Sequence, residues 1–423
     1  MPGSTVNNHY DLIIVGGGLA GASLACALKS AVLDKPLTIA VVEAYELNTE
    51  SQPSYDDRTI ALSYGSRCIF DSMGVWPLLA EQAEAIDSIH ISDRGHFGVT
   101  RLSSEQEGVE ALGYVLENRN IGQQLYQVMS ESADITLFCP AELKSLQQDV
   151  THPDAKVSVE VMLDGSSQTL TAELLIAADG NNSQVMKELN IGSSRKDYEQ
   201  SALITNITPG KKHDNVAYER FTDSGPLAFL PMTQNRCSVV WTLSPEQADY
   251  LYALDEADFL QQLQQRFGYR LGRIKKMGKR HIYPLFLQSA TQMVHGRVAL
   301  IGNAAHSVHP VAGQGFNLAL RDVALLAELI VEHRRKSADI GSLAMLQQYE
   351  AQRDADIKRV YRFTDALVRT FSNSILPLAH MRSLGLFMVD VLPDLKHQLA
   401  VQSMGLNAGK GGKLSRLGRG LPL

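Results

Sequence analysis

The sequence predicts an α/β fold in which a Rossmann-like dinucleotide domain carries a mostly antiparallel β layer and ends in C-terminal helices. Three observations predict it. First, three apolar runs each end in a glycine-bearing turn and restart with helical character. They are "DLIIVGGGLAG" from Asp11, "LLIAADGNNSQV" from Leu174 and "RVALIGNAAHSVHPVAGQGFNLALRD" from Arg297. Second, the chain between the last two runs alternates apolar and polar residues, as in "SALITNITP", "GPLAFLPM" and "CSVVWTL". Alternation of this kind marks antiparallel strands with one solvated face. Third, beyond Gln348 the apolar period becomes helical, through "VYRFTDALVRTF" and "LGLFMVDVL". A chain of 423 residues has room for two or three structural units.

The first run justifies the dinucleotide domain. "DLIIV" is continuously apolar, as a strand buried on both faces must be. Gly16, Gly18 and Gly21 then follow in GxGxxG spacing, and "LTIAVVE" forms a second strand ending at Glu43. Gly16 permits the tight turn, Gly18 admits a pyrophosphate to the backbone, and Gly21 lets the helix lie close on the strand. The helix N-terminus offers unpaired N–H groups and positive partial charge to the phosphates. Glu43 can accept hydrogen bonds from both ribose hydroxyls and disfavours a 2′-phosphate, so FAD or NAD is expected in preference to NADP. In the second run, Asp179 either caps the helix starting at Ser183 or contacts a ligand. The third run adds another such turn, and three exceed what a simple NAD dehydrogenase requires.

Composition removes several alternatives. Hydrophobic residues make up 44% and charged residues 20%, the balance of a folded chain and not of a disordered one. A net charge of −7 argues against a nucleic-acid partner. The basic stretch "GKGGKLSRLGRG" reads as a solvated, frayed tail, with acidic phospholipid heads as the alternative contact. Cys26, Cys68, Cys139 and Cys237 form no CxxC pair, so neither zinc nor a disulfide scaffold is expected, and a reducing cytoplasm is. No metal site is expected. "MPGSTVNNHYD" does not read as a signal peptide, and "SILPLAHMRSLGLFMVDVL" is interrupted by Pro, His, Arg and Asp, so no spanning helix is expected.

Taken together, "GGGLAG", "AADGNNSQV" and "GNAAHSVHPVAGQGFNLALRD" resemble the three fingerprints of the aromatic flavoprotein monooxygenases of the para-hydroxybenzoate hydroxylase type. Those are a GxGxxG turn, a DG motif, and a GD motif followed by Pro and a Gly-x-Gly-x-Asn turn. "DDRTIAL" (Asp56–Leu62), "ISDRGHFG" (Ile91–Gly98), "YERFTDSGPLAFLPM" (Tyr218–Met232) and "HPVAGQGFNLALRDV" are similar, more narrowly, to the ubiquinone-biosynthesis hydroxylases. Within these, the branch acting on a 2-polyprenyl-6-methoxyphenol is the most similar. The resemblance implies FAD as cofactor, NAD(P)H as electron donor and O2 as co-substrate. It also implies hydroxylation para to the phenol oxygen through a C4a-hydroperoxyflavin, with no protein nucleophile.

Carried over residue by residue, the resemblance assigns Gly16, Gly18 and Gly21 to the FAD pyrophosphate and Glu43 to the adenosine ribose. Arg58 falls near the flavin or pyrophosphate. Asp179 and Gly180 fall near the ribityl chain and the NAD(P)H approach, and Gly302 and Asn303 at the ribityl–pyrophosphate region. Pro310, Gly313, Gln314, Gly315, Phe316 and Asn317 bring a helix N-terminus to the pyrimidine edge of the ring. Three positions depart from the family pattern by replacing a charge with a neutral group: Asn303 for Asp, Met186 for Arg, and Gln123 for a cofactor-contacting Arg. A base that deprotonates the phenol would enrich its para carbon. His306 and His309 are the titratable candidates beside the third turn, against the plainer reading of loop histidines bonded to backbone or solvent.

This reading divides the chain into a discontinuous FAD-binding domain (1–80, 100–185 and 284–345), a substrate-binding β domain (81–99 and 186–283) and a C-terminal helical region (346–423). The apolar stripe after Gln348 reads first as core or as the interface of an oligomer, and second as a lipid contact. The expected location is cytoplasmic, with peripheral contact at the inner membrane face open to a prenylated substrate's enzyme. Other ubiquinone-biosynthesis proteins are conceivable partners. Two rival functions stand beside the leading one: a sister hydroxylase acting at another ring position, and a cofactor-poor scaffold subunit suggested by the three neutral replacements.

Overall fold

The computed structural model describes residues 8–46, 58–149, 156–308, 313–371, 385–406 and 413–423. The apolar runs form the centre of the first sheet. Val298–Leu300, Ser166–Ala177, His9–Val15, Ile39–Val42 and Ile135–Phe138 lie side by side in that order, each pair parallel. Every residue of Ile39–Val42 and Val298–Leu300 is buried, which is why these strands show no alternation. Helices Leu19–Lys29, Asn118–Ser130 and Gln314–Arg335 pack together beside this sheet. An antiparallel hairpin, Ala141–Gln148 and Val157–Leu163, extends it from Ser166–Ala177.

The alternating segment forms the second sheet. Its order is His306–Ser307, His281–Ala290, Ser193–Thr208, Arg236–Leu243, Gly225–Met232, Val216–Thr222, Ser88–Asp93 and Val99–Ser103. All neighbours are antiparallel except Val216–Thr222 beside Ser88–Asp93. One face carries Leu203, Leu227, Phe229 and Trp241 against helices Pro245–Ala253 and Glu256–Phe267, with Phe229 stacked on Phe267 at 3.8 Å between ring centroids. The other face turns into a cavity lined by Ile204, Ala228, Val240 and Thr242. A small antiparallel sheet, Thr59–Ser63, Gly113–Glu117 and Glu84–Ile86, closes a third side.

Helix Leu343–Phe371 packs on Gln314–Arg335, and helix Pro393–Ser403 follows. The end of the chain departs from the frayed tail expected of it. Leu417 is fully buried, Arg416 N–H donates to Glu328 Oε2 at 2.7 Å, and Arg416 Nε donates to the Pro422 carbonyl at 2.9 Å. Apolar Leu417 outweighs the basic residues around it. Among the described residues no helix is long and apolar enough to cross a membrane.

Candidate active site

The three strand-turn-helix units converge on a cavity of about 550 Å³. At the first, Gly16 has φ +104°, and a Cβ there would sit 2.4 Å from the Ala178 carbonyl oxygen. A Cβ on Gly21 would sit 2.0 Å from the Gly16 carbonyl oxygen. Only glycine therefore lets the helix approach both the turn and the end of the neighbouring strand. Gly18 is the N-cap of helix Leu19–Lys29, no side chain caps that end, and Gly18, Leu19 and Ala20 line the cavity. Glu43 is buried beside this turn. Its Oε2 accepts from Gly17 N–H at 2.6 Å and its Oε1 from Tyr45 N–H at 2.9 Å, so the carboxylate is braced against the glycine turn.

The second unit differs. Asp179 Oδ2 accepts from the backbone N–H groups of Gln184 (2.7 Å) and Val185 (3.2 Å), and Ser183 Oγ accepts from Met186 N–H. Asp179 is thus a helix cap, the plainer of its two readings, and lies outside the cavity lining. Burial pushes its carboxyl up despite these hydrogen bonds. Gly180, with φ +81°, does line the cavity, as does Ala178.

At the third unit Gly302 (φ +57°) donates its N–H to Asp322 Oδ2 at 2.9 Å. Asn303 follows, exposed into the cavity. Gly313 (φ +60°) is the N-cap of helix Gln314–Arg335, again with no side-chain cap, and Gln314, Gly315, Phe316 and Asn317 line the cavity. A Cβ on Gly315 would meet only Val308 Cγ2, at 3.8 Å. Asn317 is committed to backbone: its Oδ1 accepts from Ser63 N–H, and its Nδ2 donates to Ala61 and Gly313 carbonyls. His309 and Pro310 lie outside the described residues.

Several expected site residues sit elsewhere. His306 is buried and absent from the cavity lining; its Nε2 is 2.6 Å from Asp322 Oδ2. That aspartate also accepts from Arg353 Nε at 2.7 Å, and is fully buried. Burial alone would raise the Asp322 carboxyl, but His306 and Arg353 outweigh it and hold the carboxyl low. The ring is thus a partner in a buried ion network. Gln123 is exposed on helix Asn118–Ser130 and does not line the cavity; Asn118, at the start of the same helix, does. Met186 fills the hydrophobic core, so its neutrality reflects packing. Arg58 lines the cavity, with its guanidinium 5.0 Å from the Tyr283 ring centroid.

Opposite the three turns stands the second sheet, and here the structure presents a residue that sequence reading missed. Ala217, Tyr218, Glu219 and Phe221 of strand Val216–Thr222 line the cavity, and Arg220 does not. Burial pushes the Glu219 carboxyl up to about 7. Its signal was a lone acid at a cavity-facing position of an apolar strand, legible only once the strand's inward parity is known. A larger recess of about 820 Å³, around Lys35, Arg297, Arg334 and Asp339, shares none of these residues. Arg297 is paired with Asp339, Arg334 with Asp11, and Arg335 donates to the Val32 carbonyl.

Residues 9–364 match the family model described as an FAD binding domain. Over 414 residues the chain is 38% identical to the ubiquinone hydroxylase UbiL of Rhodospirillum rubrum, covering 98% of this chain and 93% of that one. Over 405 residues it is 31% identical to the 3-demethoxyubiquinol 3-hydroxylase of Escherichia coli, covering 95% of this chain and all of that one (100%). Among solved structures, p-nitrophenol 4-monooxygenase PnpA from Pseudomonas putida DLL-E4 is similar with a TM-score of 0.77. That match covers 94% of this chain and 98% of PnpA at 17% identity, and shows a common fold. A family model spanning most of the chain and relatives aligned nearly end to end establish that the protein belongs to the FAD-dependent aromatic-ring monooxygenases, among the ubiquinone hydroxylases.

Proposed function

We propose that this enzyme hydroxylates a 2-polyprenyl-6-methoxyphenol para to its hydroxyl, with O2 and NAD(P)H, in ubiquinone biosynthesis. The residues fit FAD: Gly16 and Gly21 let the first helix close on a turn where a Cβ would clash with the Ala178 and Gly16 carbonyl oxygens, and two helices begin at the cavity without a side-chain cap. In this reading Gly16, Gly18 and Gly21 hold the pyrophosphate and Glu43 the ribose. Arg58 lies near the flavin or the pyrophosphate, Gly180 near the ribityl chain, Gly302 and Asn303 at the ribityl–pyrophosphate region, and the backbone of 313–317 meets the ring. Bound FAD supplies the two-electron chemistry, drawing electrons from NAD(P)H and an oxygen atom from O2 for an electron-rich ring. The chain's own contribution is binding, electrostatics and dryness. The uncapped N-terminus at Gly313 favours negative charge nearby, and Asn303 can both donate and accept a hydrogen bond without adding charge.

The observation that carries the substrate class is the wall facing this cradle. Ile89, Ile91, Ile204, Ala228, Leu230 and Val240 make it apolar, which suits an alkylated ring and keeps water from the reacting atoms. Leu386 and Leu399 continue the lining, while Phe387, Met388, Val391, Leu392 and Leu395 on the same segment are exposed. A polyprenyl tail leaving past Leu386 and Leu399 meets this apolar surface, which supports peripheral contact with the inner membrane face. One observation favours a second reading: the Escherichia coli relative is named for the 3-hydroxylation of demethoxyubiquinol. Lipid extracts of a deletion strain separate the two. Accumulated 2-polyprenyl-6-methoxyphenol is the expected result, whereas accumulated demethoxyubiquinol overturns the leading assignment in favour of the sister reaction.

A further inference from the structure

We propose that Glu219 is a catalytic residue whose carboxylate accepts the proton of the substrate's phenolic hydroxyl. The inference rests on the phenol-hydroxylase reading above. Its basis is position. In register, Glu219 pairs with Ala228 on one side and Ile91 on the other, and both line the cavity. Beyond them the wall continues as Leu230, Val240 and Ile89. Glu219 is half-buried, its carboxylate set among such residues at a cost in solvation, and a strand with only a packing role would carry an apolar residue there.

The charged groups near Glu219 are few. Strand Gly225–Met232 carries none. Strand Ser88–Asp93 carries Asp93, paired with Phe221, and His90, paired with Tyr218; neither lines the cavity. On its own strand, Arg220 takes the opposite parity and is absent from the lining. Arg58 and Tyr218 are the other ionisable side chains among the described residues that line the cavity. Burial is the cause that sets the carboxyl at about 7, where a base is half ionised near neutral pH and stronger than an ordinary carboxylate.

Protons and electrons balance over the cycle. The phenolic O–H bond breaks, the proton passes to Glu219, and the electron pair stays on the phenol oxygen, enriching the para carbon. That carbon forms a bond to one oxygen atom of O2 as the O–O bond breaks, and the other oxygen leaves as water. NAD(P)H and one solvent proton supply the two electrons and the two hydrogens that the new hydroxyl and the water need beyond the para proton. When the ring regains aromaticity, the para carbon loses its proton to the departing water, and the phenol oxygen recovers its proton from Glu219. The carboxylate is left as it began.

The test uses the FAD-loaded enzyme with 2-dimethylallyl-6-methoxyphenol as probe and its O-methyl ether as the control that has no proton to give. Wild-type activity should fall as pH drops below about 7. Affinity for the phenol should fall with the same drop in pH, because the protonated carboxyl no longer accepts from the hydroxyl, and affinity for the ether should not fall. Glu219→Gln should retain flavin, lose about a hundredfold in kcat, and lose the pH dependence of phenol binding; Glu219→Asp should restore part of both. A Glu219→Gln enzyme that keeps the wild-type rate and pH profile on the phenol overturns the role of Glu219 while leaving the hydroxylase reading intact. A wild-type enzyme that neither binds nor hydroxylates the phenol overturns both.

Discussion

At Gly315 a side chain would find room in the protein, but in the proposed reading it would stand where the flavin ring lies. A Cβ at this position would meet only Val308, at ordinary van der Waals distance, while the residue itself lines the cavity. Gly315→Val should therefore leave the melting temperature of the flavin-free protein within about 2 °C, because surface-like substitutions cost only tenths of a kcal/mol. Flavin occupancy after reconstitution should drop at least about tenfold through lost close approach. Full occupancy in the flavin absorption spectrum would remove Gly315 from the binding surface. The same scale shows what residue types alone conceal. His306 and Asp179 are titratable groups in the right turns, yet one is bound into an ion network and the other caps a helix. Glu219 lay inside a stretch already singled out, but nothing in one dimension says that its side chain, and not that of Arg220, faces the cavity.

Among the elements, helix Gln314–Arg335 has the most to hold in place, because its first turn faces the cavity and Asp322, two turns on, anchors Gly302 and His306. Arg353 from the next helix completes that anchor, with Nε on Asp322, Nη1 on Asp356 and Nη2 on the Leu318 carbonyl. Arg353→Met keeps the bulk but leaves the Asp322 carboxylate buried with one cationic partner fewer. The expected loss is about 3–5 kcal/mol of stability, since removing one side of a buried pair strands the other charge. A urea midpoint shift corresponding to less than about 1 kcal/mol would show that His306 and the Gly302 amide satisfy Asp322 without it. The strands and helices of the dinucleotide half were legible because their patterns are local: continuous apolar runs, glycine spacing, an acid at a strand's end. The second sheet was legible as a type but not in extent. Ser88–Asp93 fell within the expected β domain, but its pairing with the distant Val216–Thr222 leaves no periodic mark, and Val99–Ser103 and His306–Ser307 carry the sheet past the expected bounds.

For the whole molecule, the exposed apolar residues of 387–395 adjoin the cavity's Leu386 and Leu399 lining, so the proposed reading puts substrate entry and membrane contact on one surface. Val391→Asp with Leu395→Asp should cut co-sedimentation with anionic phospholipid vesicles by about tenfold or more, given the several kcal/mol it takes to bring charges into lipid. Turnover of the short-chain phenol should be unchanged. Equal co-sedimentation of variant and wild type would move the contact elsewhere. What the sequence determined by itself was the family of architecture: three glycine turns after apolar strands, an alternating layer and a helical end, because these follow from short-range sterics and burial patterns. The tertiary structure decided which of the residues in those turns face the cavity, since facing depends on strand parity and on partners hundreds of residues away. It locked His306 on Asp322, and left Glu219 as the carboxylate in an apolar wall opposite the glycine turns.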